Sequence, residues 1–254
     1  MQRSIEANIE LLAITDHDTL SGWLQVKDVV PSGLRLISGV EVSCVWGGTT
    51  VHVVALDSDP QLPDFKALLA ALDQARVDRA GVIAQRLEKA GFPGALDGAR
   101  DIAGRDQIGR PHFAQWLLET GAVNSMNDAF DRYLGQGKIG DVKTFWPALT
   151  SVVGAIVAAG GVPILAHPLH YKMTRTKLRA LCSDFVTAGG LALEVVNGRQ
   201  REDEVAQMIK LAQSFGLEVS VGSDFHRDWS YGADLGVDTT RVGHGVTGVW
   251  ERWL

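Results

Sequence analysis

Cysteine is scarce in this 254-residue chain: Cys44 and Cys182 are the two, and they form no C-x-x-C pair. That excludes a disulfide framework and a thiolate metal cluster, and it points to a reducing, cytoplasmic setting. No apolar run approaches the roughly 20 residues of a membrane span. Residues 1–10 are polar with no apolar centre, which argues against a secretory leader. Basic charge is not in excess either. Lys and Arg total 24 against 30 Asp and Glu, and the net charge of -6 disfavours broad attraction to duplex DNA or to a membrane surface. No internal repeat or low-complexity tract interrupts the chain. What remains is an ordinary globular composition, 46% hydrophobic and 21% charged, long enough for one sizeable core.

Three apolar runs end abruptly in metal-binding side chains. Leu11-Leu-Ala-Ile-Thr closes in Asp16-His17-Asp18. Val162-Pro-Ile-Leu-Ala closes in His167. Val219-Ser-Val-Gly-Ser closes in Asp224-Phe225-His226. Buried parallel strands that deliver ligands at their C-terminal tips have this appearance. Residues 35–40 form a further strand followed by Glu41. Residues 42–46 and 49–56 form a hairpin turned by Gly47-Gly48, which sets His52 across from Glu41.

Between residues 63 and 141 the period changes to helical, and residues 125–128 resemble a capping box. This stretch is expected to be a helical insertion lying over the strand tips of a barrel built from residues 1–62 and 142–254. After Pro147 strand and helix alternate again, with strands at 162–166, 191–196 and 218–221 and a possible last strand around Val246–Trp250. Such alternation implies a parallel sheet or barrel with its ligands at the C-terminal strand ends.

His17, Glu41, His52, His167, Asp224 and His226 together make a donor set suited to Zn²⁺, Mn²⁺ or Fe²⁺. Each has a plain alternative: a polar strand end for residues 15–18, a satisfied strand histidine for His52. Six donors exceed one tetrahedral ion, so at least two metals are expected, with Glu41 a candidate bridge. A multinuclear site suits phosphoester hydrolysis.

These motifs resemble the PHP family, the polymerase and histidinol phosphatase superfamily: Ile14-Thr-Asp-His-Asp-Thr19, Gly39-Val-Glu-Val-Ser43, His52-Val-Val-Ala-Leu56, Ala166-His-Pro168 and Gly222-Ser-Asp-Phe-His226. Gly109-Arg-Pro-His-Phe-Ala114 is similar to the branch that hydrolyses 3',5'-nucleoside bisphosphates and short RNA. The resemblance implies an α/β fold, a distorted (β/α)7 barrel, with up to three divalent ions, usually Mn²⁺. Transferred by motif, Glu41 bridges two ions. His52 and His167 hold one, Asp224 serves another, and His17 and His226 a third, with Asp16 and Asp18 as turn residues around them. Glu41, His17, Asp224 and His226 are then the catalytic set. Arg110, His112, Lys138 and His170 are the phosphate-binding candidates; against them stand a solvent-facing helix start for Arg110, a capping role for His112 and a helix-ending turn for Lys138. Trp46, Trp116 and Trp146 read as packing residues rather than base-stacking ones.

The family pattern opens with a strand carrying Asp-x-His-x-His, and none of this chain's histidines precedes His17. The 11–15 strand is therefore expected to be the second of the barrel. A start placed too far downstream, a truncated chain and a natural degenerate form each account for this. The Glu41–His52–His167 site is then the best retained. The expected substrate is a 3',5'-nucleoside bisphosphate losing its 3'-phosphate, or short 5'-phosphorylated RNA. A non-catalytic metal- or nucleotide-binding domain is the alternative. Histidinol-phosphate phosphatase is a further one, disfavoured by the Arg110 segment.

Overall fold

The computed structural model describes residues 1–104, 107–142, 146–226 and 233–254. Two compact units divide the chain: Met1–Leu69 with Pro147–Leu254, and Ala70–Trp146. The first unit opens with a short helix α1 (Gln2–Glu6), then β1 (Leu11–Ile14), α2 (Ser21–Val26), β2 (Arg35–Trp46) and β3 (Thr49–Leu56). Helix α3 (Pro63–Lys89) carries the chain into the second unit, which holds α4 (Ala95–Ala103), α5 (Arg110–Glu119) and α6 (Met126–Ala129), the last continuing into a π-helical turn (Phe130–Leu134). The chain then returns through α7 (Leu149–Ala158), β4 (Val162–Leu165), a 3-10 turn (Pro168–Tyr171), α8 (Arg175–Thr187), β5 (Ala192–Asn197), α9 (Glu202–Ser214) and β6 (Glu218–Gly222).

Among the described residues the six strands form one sheet in the order β1-β2-β3-β4-β5-β6. It is a mixed α/β fold. β1–β2, β4–β5 and β5–β6 are parallel, while β3 is antiparallel to both of its neighbours. The antiparallel β2–β3 pair is the hairpin expected at Gly47-Gly48. The cause is local: Gly47 and Gly48, both at positive φ, close the β2–β3 hairpin in two residues and leave no room for a crossover.

The hairpin differs from expectation in one way. Residues 35–40 and 42–46, read as separate pieces, are one 12-residue strand with Glu41 inside it. Its eight central residues, Ile37 to Cys44, are all buried, as befits a strand covered on both faces. The tail is corrected as well. Residues 249–252 form a 3-10 turn rather than a strand, and only an isolated bridge joins Gly248 to Val219. Val249 and Trp253 instead pack on Ile37, Leu56, Val162, Ile164 and Ala192, and the Trp253 indole donates to Asp57 at 3.0 Å. Burying two large side chains on a sheet face outweighs the few ladder bonds another short strand would add.

The second unit has its own core, in which Ile83, Leu87, Phe113, Leu117 and Leu134 are buried. Ser125 caps α6 by accepting from the Asp128 amide at 3.0 Å. The return bond of the expected capping box goes one residue further out, from the Asn124 amide to Asp128 at 3.1 Å.

Candidate metal centre

The site is built from strand ends of the first unit. Past Ile14 the chain of β1 keeps pace with β2: the Glu41 amide donates to the Asp16 carbonyl at 3.1 Å, and the Asp18 amide to the Glu41 carbonyl at 2.9 Å. This sets His17 beside Glu41. Asp18, buried and at φ 58°, accepts from the Ser43 amide at 2.6 Å and the Ser43 hydroxyl at 2.8 Å. Asp16 accepts from the Gly22 amide at 3.0 Å, and a Cβ at Gly22 would lie 2.1 Å from that oxygen. Both aspartates therefore brace the turn that presents His17.

Glu41 is the hub. Its Oε1 lies 2.6 Å from His52 Nδ1 and 2.7 Å from His167 Nε2, and its Oε2 lies 3.8 Å from His17 Nδ1. His52 and His167 are themselves 3.2 Å apart. His52 reaches this point because β3 runs backwards. Register pairs it with Ser43, on the same side of β2 as Glu41, two residues away. Tyr171 ties the two arms together: its hydroxyl accepts from the His52 amide at 2.9 Å and donates to the Ala166 carbonyl at 2.8 Å.

A cavity of about 1030 Å³ opens beside this cluster, lined by residues of both edge strands. Its walls include His17, Glu41, His167, Glu194, Asp224 and His226. Asp224 sits at φ 51° after β6, and its Oδ1 lies 3.4 Å from His226 Nδ1. The His226 ring is exposed, with its centroid 6.1 Å from that of His17. His170 stacks on His167, centroids 5.0 Å apart. Burial and the charge of His167 lower the pKa of His170.

Electrostatics follow from this packing. Burial alone would raise the Glu41 carboxyl, but hydrogen bonds from His167 and His52 and the charge of His17 outweigh it and hold Glu41 well below the usual carboxylate range. Burial would lower His167, yet the Glu41 hydrogen bond and charge raise it overall. Glu194, desolvated and near Glu41 and Asp224, is pushed up to about 7.

The donor set fits divalent metal. Ligand atoms of His17, Glu41 and His52 all lie within 4.8 Å of one another, a separation that one ion with bonds of roughly 2.0–2.2 Å can draw together. Protons and metal compete for these atoms. The depressed Glu41 stabilises the fold above its ordinary 4.5 and loses that contribution as pH falls through its folded value. The raised His167 stabilises below its ordinary 6.5 and loses that contribution as pH rises through its folded value, while Glu194 costs stability as pH rises toward 7. Metal-free protein is therefore expected to melt highest between pH 4.5 and 6.5, and the gain in melting temperature on adding Mn²⁺ is expected to grow with pH. Thermal melts with and without Mn²⁺ across that range check this. A Mn²⁺ increment that shrinks as pH rises would count against these residues as ligands.

The remaining sequence candidates lie in the second unit. Arg110, at the start of α5, donates to the Leu134 carbonyl at 3.3 Å, and its pKa is lowered by burial and by Arg76, opposed by Asp141. His112 Nδ1 accepts from the Gly109 amide at 2.9 Å, which is a capping role. The Lys138 amide donates to the Gly135 carbonyl in the turn after the π-helical segment. Arg76 and Arg79 of α3, not singled out in the sequence, both lie over the buried Trp146 ring, at 5.5 and 5.8 Å. Their i,i+3 spacing reads as a solvated helix face, and only the ring between them marks them out. Trp116 packs against the second unit's core, and Trp46 donates to Asp184 at 2.7 Å. Glu194 was also missed. Its signal was a carboxylate inside the apolar run Leu191-Ala-Leu-Glu-Val-Val196, where a charge needs a partner.

No family model matches the chain. A 5'-3' exoribonuclease of Haemophilus influenzae is 38% identical over 257 residues, covering all of this chain and 92% of the relative. A 3',5'-nucleoside bisphosphate phosphatase of Chromobacterium violaceum is 41% identical over 228 residues, covering 89% of this chain and 80% of that one. Among solved structures, an amidohydrolase from Chromobacterium violaceum with bound sulfate superposes with a TM-score of 0.89 at 36% identity, covering 99% of this chain and 88% of the other. Fold, donor set and relatives together define a hydrolytic enzyme of the phosphoesterase class. The chain belongs to the PHP family, alongside the 3',5'-nucleoside bisphosphate phosphatases and 5'-3' exoribonucleases. No helix among the described residues is long and apolar enough to cross a membrane.

Proposed function

We propose that this chain removes the 3'-phosphate from 3',5'-nucleoside bisphosphates and degrades short 5'-phosphorylated RNA from its 5' end. The observation that carries this is the convergence of His52 and His167 on one oxygen of Glu41 and of His17 on the other. A carboxylate approached by imidazoles from both sides is suited to lie between two ions. His52 and His167 would hold one ion, with Glu41 shared. His17 and His226 would serve another, and Asp224 a further position. Divalent ions, with Mn²⁺ the first choice, supply Lewis-acid charge for the phosphoryl oxygens and acidify a water.

The chain's own residues orient and exchange protons. Glu41, buried and held ionised, keeps the imidazoles aligned. A cavity histidine whose ring nitrogen holds no ion would give a proton to the leaving ribose oxygen. Arg110, with Arg76 near it in the same unit, would offer a planar fork to the phosphate that is not hydrolysed.

Phosphate release from adenosine 3',5'-bisphosphate, measured with Mn²⁺ and with chelator, tests the reading. The expected products are inorganic phosphate and adenosine 5'-phosphate, only in the presence of metal. Metal binding without release of phosphate or of nucleotide from 5'-phosphorylated RNA would instead make this a binding domain.

A further inference from the structure

One carboxylate at the cavity has no place in the ligand set above. Glu194 Oε2 accepts from the backbone amide of His167 at 2.6 Å and from Asn197 Nδ2 at 3.2 Å. Its Oε1 faces Gly222 of β6, where any Cβ would lie 2.6 Å away, so the neighbouring strand leaves this carboxylate room only because residue 222 is glycine.

The geometry is built rather than incidental. Along an unbroken strand, residues three apart face opposite sides. Between Glu194 and Val196 the β5–β6 register shifts, so Glu194 pairs with Ser220 while Val196 pairs with Val221. This bulge at Val195 turns Asn197 to the side of Glu194, so that its amide can hold the carboxylate. Asn197 is itself fixed, its backbone amide donating to Gln200 at 2.8 Å.

The residue held in this way is under strain. His167 sits at φ 27°, ψ 59°, between the end of β4 and the turn that begins at Pro168. Side chains other than glycine rarely adopt this region, and such strain persists only where the surroundings impose it. Tyr171 anchors the Ala166 carbonyl and the His52 amide, but not the amide of His167. That amide has Glu194.

We propose that Glu194, steadied by Asn197, is a positioning residue: it holds the His167 backbone in its left-handed turn and thereby aims the His167 ring at Glu41. This rests on the reading of His167 as a metal ligand.

The test uses the full chain and Mn²⁺ alone. Glu194→Leu is expected to weaken Mn²⁺ binding by roughly 10- to 100-fold, the usual effect of removing a group that orients a ligand. Glu194→Gln, which keeps an acceptor for the amide, is expected to restore binding to within about 3-fold, and Asn197→Ala to fall between. In metal-free protein, long-range imidazole spectra should show the His167 ring of E194L losing its Glu41-dependent shifts, with the His112 ring unchanged. Equal binding by E194L and wild type overturns the proposal. So does a loss in E194Q as large as in E194L, which would make the charge rather than the hydrogen bond the operative feature. Should E194L not fold, E194Q and N197A still decide it. If wild type binds no Mn²⁺, the metal reading falls by itself, and the imidazole spectra still judge the positioning.

Discussion

Replacing Glu41 by alanine is expected to lower Mn²⁺-dependent phosphate release by on the order of 10³-fold, because charge stabilisation worth several kcal/mol disappears with the shared carboxylate. Metal stoichiometry should fall with it. The His52 and His167 rings both direct a nitrogen to Glu41 Oε1, so they lose their common partner. With the carboxylate gone, His167 loses the hydrogen bond and charge that do most to raise its pKa, leaving burial opposed only by Glu194 and Asp224. Metal-free E41A should therefore show a weaker decline in melting temperature at higher pH than the His167 titration imposes on wild type. Glu41→Gln separates charge from volume: it fills the same space and is expected to bind Mn²⁺ almost as poorly as alanine. Metal content by elemental analysis and steady-state phosphate release measure both variants. Wild-type metal content in E41Q would remove Glu41 from the ligand set.

Arg110→Ala is expected to have the next largest effect, and a selective one. A charged fork on phosphate contributes about 1.5–3 kcal/mol, which is about 10- to 100-fold in kcat/KM. The loss should appear for adenosine 3',5'-bisphosphate and be small, about 2-fold or less, for a 3'-monophosphate lacking the second phosphate. Arg110→Lys keeps the charge but not the fork and should recover only part of the loss. The Arg110 guanidinium also bonds the Leu134 carbonyl, so melting temperatures must accompany the kinetics. Equal losses on both substrates would show that Arg110 serves the fold of its own unit and not the second phosphate.

The difference between what was legible and what was not follows contact range. Strand tips were legible because a buried strand writes itself as an apolar run, and a run that ends in histidine or aspartate is conspicuous without any partner in view. The hairpin was legible from two glycines. Glu194 was harder to see, since its meaning lies in a backbone amide 27 residues away. The fate of the tail was decided by a sheet face that the tail's own sequence does not describe.

From the sequence alone came the chemistry of the site: imidazoles and carboxylates at strand ends, in an order that marks the family. The tertiary structure alone decided which of them meet. Glu41 and His167 are 126 residues apart in sequence, and they touch because β3 turns back between β2 and β4 and its reversal carries His52 into the same space. Side-chain type is a local property that a sequence states directly. Convergence on one carboxylate oxygen depends on register, strand direction and a bulge, and those are set by packing across the whole sheet.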